Sequence, residues 1–167
     1  MERDMNQIPL GELITPKISD VPSIAIRQAL DDLEKAEACD NLYVNMNVWH
    51  GPFDTFSNMA KAHMEQLRDM SGKPNATCVV CLAGSVISAA GNDARRDIRP
   101  ENFDHTTYNK LLGFNALRTG DVPTFLKYFG FRNIFKYPRM FLFYENDPVK
   151  FKQELRKLAD CLEKDGL

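Results

Sequence analysis

Thr77–Ser88 reads TCVVCLAGSVIS, two cysteines three apart followed by a run without a charged side chain. From Cys78 to Ala90 the residues are apolar or small on every side. That is the pattern of a helix buried in the middle of a domain. Ala83, Gly84, Ser85, Ser88 and Ala89 leave room for neighbouring elements to come close. The pattern predicts a central helix over about 78–90, ended by Gly91, after which the charged stretch NDARRDIRPEN returns the chain to water.

Outward from this helix the periodicity is mostly helical. Asp20 is placed to cap a helix running to about Ala38, with Pro22 in its first turn and Ile26, Leu30 and Leu33 on one face. Asp31, Asp32, Glu34 and Glu37 form its solvated side. A helix over 54–70 would stripe Phe56, Met59, His63, Leu67 and Met70. Further on, 106–119 stops at Gly120, and a short helix opens at Asp121 and Pro123 and closes at Gly130. The last helix, from Pro148 to about Lys164, has Asp147 as cap and Phe151, Leu155, Leu158 and Leu162 inward.

Strand signals are few. In NLYVNMNVWH (41–50) Leu42, Val44, Met46 and Val48 alternate with Tyr43, Asn45, Asn47 and Trp49, and RMFLFYEN (139–146) has strand composition. The fold expected is α+β and mainly helical. Five to six helices would surround the buried helix at 78–90, beside a two-stranded element pairing 41–48 with 139–145. Residues 1–19, interrupted by Pro9 and Pro16, read as an N-terminal arm, and 20–167 as a single globular domain.

A chain of 167 residues with 44% hydrophobic and 26% charged side chains suits one soluble domain. A net charge of -2 gives no bulk attraction to nucleic acid. No stretch approaches the ~18 apolar residues of a membrane span, and the polar start is unlike a secretory signal. Cys39, Cys78, Cys81 and Cys161 are then expected as reduced thiols in the cytoplasm.

The Cys78/Cys81 pair could serve four chemistries. Zinc needs four ligands, and His50, His63, His105, Cys39 and Cys161 do not complete a set at metal-site spacing. A redox couple needs a strand-to-helix frame and a tuned spacer, which Val79-Val80 does not supply. Thiol catalysis would take Cys78 as nucleophile and His50 as base, with Asn45 or Asn47 orienting the base. The fourth reading, small buried hydrophobes, is the one adopted, since free cysteine is among the most buried residue types. No metal and no cofactor is expected.

From Val122 to Tyr144 the chain has no acidic residue, four cations (Lys127, Arg132, Lys136, Arg139) and nine of the seventeen aromatics. Basic residues interleaved with aromatics can bind single-stranded nucleic acid by stacking and phosphate contact. Rings in a core with the cations turned outward fit the pattern better. A protein partner on the exposed part would then use Arg132, Tyr137 and Arg139, with Lys127 and Lys136 beside them. The first forty residues are acidic by contrast, nine acidic against four basic, so the two regions could pair within one chain or between two, as a homodimer.

MNVWH (46–50), CVVCLAGSVIS (78–88) and LLGFNALRTGDV (111–122), taken in order, resemble a loose family of small proteins encoded by bacteriophages and prophages. That family is known by genetic context rather than by an activity. The resemblance implies that Trp49, His50, Cys78, Cys81 and Gly84 lie together. It also implies an accessory protein that binds a host or phage protein in the bacterial cytoplasm, in host takeover or in countering defence. A hydrolase or transferase using Cys78 and His50, and a single-strand nucleic-acid binder using 122–144, are the alternatives.

Overall fold

In the computed structural model, residues 13–53, 56–90, 100–132 and 136–167 are described, 50–52 by backbone alone. The central element starts later than its composition suggests. Cys78–Val80 is a strand (β3), Cys81 is extended with φ -96° and ψ -163°, and the helix (α3) runs only over Leu82–Ala89. Val79 and Val80 are β-branched and favour a strand, but β3 is buried on both faces. Its sequence therefore lacks the alternation that would separate it from a buried helix. Leu82 through Ile87 are all buried, so α3 is central.

Five further helices are described: α1 (Pro22–Ala38), α2 (Asn58–Met70), α4 (His105–Leu117), α5 (Val122–Tyr128) and α6 (Pro148–Lys164), with a 3-10 turn at Pro100–Asn102. The molecule is a mainly helical α+β protein. Its sheet differs from the expected pairing of 41–48 with 139–145. The order is β1 (Leu42–Val44), β3, β2 (His50–Pro52), with β1 parallel and β2 antiparallel to β3. Segment 139–143 joins no ladder among the described residues.

β1 and β2 are close in sequence yet flank β3 on opposite sides, so residues 45–49 must cross the end of β3. Asn45 donates its backbone N–H to Val80 C=O at 2.9 Å, and Cys81 donates to Trp49 C=O at 3.1 Å. The Asn45 side chain holds the turn by accepting from Asn47 N–H at 2.9 Å.

One face of the sheet (Leu42, Val44, Cys78, Val80) joins the main core with α1, α3, α4, α5 and α6. The other face, Tyr43 and Val79, packs with Phe53, Ala76 and Met64 of α2. The stripe expected for α2 is therefore out of phase. Met59 and Met70 are 88% and 77% exposed, while Met64 is buried and Leu67 half-buried. Arg68 lies inward as well, its guanidinium 4.9 Å over the Phe53 ring and bonded to Ala76 C=O at 3.0 Å.

The caps explain where the other helices begin. Asp104, Asp121 and Asp147 accept N–H bonds from Thr107, Thr124 and Lys150, which opens α4, α5 and α6. Asp20 caps nothing. Val21 holds the cap position of α1 without a side-chain bond, and Asp20 pairs with Lys110 at 2.6 Å. Of residues 1–19, those from 13 onward lie along the domain, with Ile14 buried and its N–H on Asn102 C=O; residues 1–12 lie outside the described residues.

Candidate functional site

The thiols come first because the sequence offers them as chemistry. Cys78 lies within β3, opposite Leu42 and Pro52, and is 1% exposed. It is thus not at a helix N-terminus, and no helix dipole acts on it to favour a thiolate. Cys81 holds the cap position of α3 at 0% exposure, and burial pushes its thiol up to about 11. The backbone of His50 stands opposite Val80 in β2; its side chain lies outside the described residues. Asn45 is engaged in the turn and with the Tyr43 hydroxyl at 3.3 Å. Among the described residues, no group of three His, Cys, Asp or Glu could hold a metal ion.

Trp49, Cys81 and Gly84 do come together, through backbone. The Trp49 carbonyl takes the Cys81 N–H and lies against Gly84, where an added Cβ would overlap its oxygen. The indole packs near Phe103 and Tyr108, with centroids 6.2 and 6.1 Å away. This arrangement fastens the 45–49 crossing to α3.

A cleft of about 530 Å³ opens between the C-terminal end of α2 and the 144–148 turn, lined in part by Glu37, Tyr43, Leu67, Lys73 and Tyr144. Its polar groups are already engaged. Glu37 accepts from the Tyr144 hydroxyl and from Lys152, both at 2.7 Å. Burial, then Glu37, raises Tyr144 above the ordinary phenol range. Lys73 Nζ donates to the Glu37 and Cys39 carbonyls at 2.6 Å. Glu37 thus belongs to a structural network and not to the solvated face expected of it. Composition carried no sign of this, since its partners are about a hundred residues away.

The basic aromatic segment divides. Phe125 is in the core and Phe129 packs 4.6 Å from it. Tyr137 is 7% exposed, its hydroxyl donating to Asp165, so it does not offer solvent a ring. Lys136 pairs with the same carboxylate at 2.9 Å, and these two bonds hold Asp165 below the usual carboxylate range. Lys127, Arg132 and Arg139 are exposed and have no ion-pair partner among the described residues. The sequence reading missed the most open rings among the described residues, Phe141 at 81% and Phe143 at 54% exposure. Their signal was present in RMFLFYE, where alternation with the buried Leu142 and Tyr144 sets one side outward.

Among the described residues no helix is long and apolar enough to cross a membrane. No protein-family model matches the chain, and neither a curated protein nor a solved structure matches it. The site must therefore be argued from its own geometry, and a feature without an internal explanation among the described residues is the exposed strip Arg139–Phe143.

Proposed function

We propose that this chain is a binding protein that docks another protein on the strip Arg139, Phe141 and Phe143. The partner indicated by the phage-type resemblance is a host or phage protein in the bacterial cytoplasm. The observation that supports this is the exposure of two phenylalanines on one short segment, 81% and 54%, beside an arginine with no ion-pair partner among the described residues. Aromatics and arginine are the residues that most often dominate binding energy, and exposed apolar groups of this kind on a soluble domain mark interaction surfaces. Thiol catalysis has less support, because Cys78 and Cys81 are buried core residues.

Affinity capture from bacterial cells with and without phage infection tests the reading. A protein retained by wild type should be lost with Phe141→Ser/Phe143→Ser, whose melting temperature should stay unchanged because neither ring is buried. Reconstituted with the purified partner, the double variant should bind at least about 30-fold more weakly, the effect of one hot spot of ~2 kcal/mol. A partner held equally by the variant would overturn the proposal. So would oligonucleotide binding at ~150 mM salt that disappears when Lys127, Arg132 and Arg139 are neutralised.

A further inference from the structure

A second cleft, of about 470 Å³, opens between the 136–140 segment and α6. That volume is in the range of small-molecule sites, ~300–1,000 Å³. From α6 the lining recurs at helical spacing, Glu154, Lys157, Leu158, Cys161 and Lys164, so one face of the helix forms a wall. From Glu154 to Asp165 this wall extends about 16 Å at ~1.5 Å per residue, which suits an extended occupant better than a compact one. Facing it are Lys136, Tyr137 and Met140.

The apolar part of the cleft is Tyr137 and Leu158, each 7% exposed, with half-buried Met140. Three lysines and two carboxylates share the same space. Lys136 pairs with Asp165 at 2.9 Å, and Lys157 pairs with Glu154 at 3.2 Å. Lys164 is exposed and has no ion-pair partner among the described residues. The other acidic groups of this part of α6, Asp160 and Glu163, are engaged by Arg27 of α1 at 2.8 and 2.9 Å. The lining is thus left with a single uncompensated positive charge beside apolar surface.

That combination sets the class of ligand. We propose that this cleft binds a small monoanion with an apolar body, an aliphatic carboxylic acid, its carboxylate at Lys164 and its chain along Leu158, Tyr137 and Met140. One negative charge completes the balance; a cation would meet Lys164 unscreened, and a dianion would leave one charge unmatched. Lysine suits a lone carboxylate, since it is a compact charge on a flexible stem. The site stands apart from the docking strip, because its ligand is small and its detection needs no protein partner. Cys161 lies exposed in the same cleft and reports occupancy without taking part in binding.

Competition for Cys161 on the full chain tests the site, with decanoate as the probe. Decanoate should slow alkylation of Cys161 by iodoacetamide at least about tenfold at saturation, with half the effect on the order of 100 μM, the scale for a ligand of this size. Cys39, which is not part of the cleft, should label at its usual rate in the same sample. Decylammonium, of similar length and opposite charge, should give no protection. Lys157→Gln/Lys164→Gln removes both charges from exposed positions and so keeps the fold. Referred to its own unprotected rate, this variant should need at least about fivefold more decanoate for the same protection. Cys161 labelling that is unchanged up to ~1 mM decanoate overturns the inference. So does equal protection by decylammonium, or an unchanged half-effect in the double variant. Slowing of Cys39 together with Cys161 overturns it too, since that is a response of the whole molecule and not of the cleft.

Discussion

The Trp49 carbonyl does two things at once: it accepts the Cys81 N–H at the mouth of α3, and it lies where a side chain on Gly84 would go. Alanine is a better helix former than glycine by about 1 kcal/mol, so an open site would be stabilised by Gly84→Ala. Here the added methyl meets backbone, which cannot rotate away. Gly84→Ala should instead destabilise by roughly 1–3 kcal/mol in urea denaturation. The need for close approach at Gly84 was legible from the small residues around it, although the sequence could not say that a carbonyl made the approach. Thiol reactivity sorts by burial in the same way. Exposed Cys161 and half-buried Cys39 should be alkylated in the native protein at neutral pH. Cys78 and Cys81 should resist until unfolding, since burial blocks access and, for Cys81, raises the thiol to about 11. Peptide mapping after a short iodoacetamide pulse reads all four, and rapid labelling of Cys78 would reinstate the thiol chemistry. Tyr137 shows where reading residue by residue stops, because a ring in a non-helical segment has no periodicity to assign its side.

Elements with their own cap and stripe were legible: α5 and α6 start at the aspartates named for them, and α6 buries Phe151, Leu155, Leu158 and Leu162 as its spacing predicts, while α4 was read without its Asp104 cap. Elements defined by a distant partner were not. β3 is a strand because β1 and β2 flank it, and its own residues, apolar throughout, serve a helix as well. α2 carries two competing apolar stripes. The one through Met64 wins because Tyr43, Phe53 and Val79 wait on that side. The link between α1, the 144–148 turn and α6 is polar, with Glu37 receiving both Tyr144 and Lys152. Tyr144→Phe keeps the ring packed on Phe151 and removes only the hydroxyl bond. It should cost about 1–2 kcal/mol in equilibrium unfolding, the loss of a bond to a charged group partly offset by Lys152 remaining. No change in stability would show that the network is not formed in solution.

At the scale of the whole molecule, helices enclose α3 and one face of a small sheet, α2 covers the other face, and a crossing loop locks the strands to α3. Most of the large apolar groups among the described residues are spent on this construction, and both thiols of the Cys-x-x-Cys pair with it. Among what the construction leaves over is the strip Arg139–Phe143, whose two phenylalanine rings face water. Composition placed the interesting segment at 122–144; of its described rings Phe125, Tyr137 and Tyr144 are buried, Phe129 and Phe131 pack against the core, and Tyr128, Phe141 and Phe143 are exposed. It could not select Phe141 and Phe143, since that choice depends on Met140 bonding Gly120 across the domain. On the function proposed above, binding resides on this strip and not around the thiols. Amide hydrogen exchange of the chain, free and with its captured protein partner, tests that most directly, with the free protein kept at low micromolar concentration. Free, the amides of Phe141 and Phe143 should exchange within seconds; bound, peptides covering 139–147 should gain protection while those covering 42–52 and 78–89 stay unchanged. Protection that appears at 42–52 and 78–89 and leaves 139–147 untouched would contradict the account.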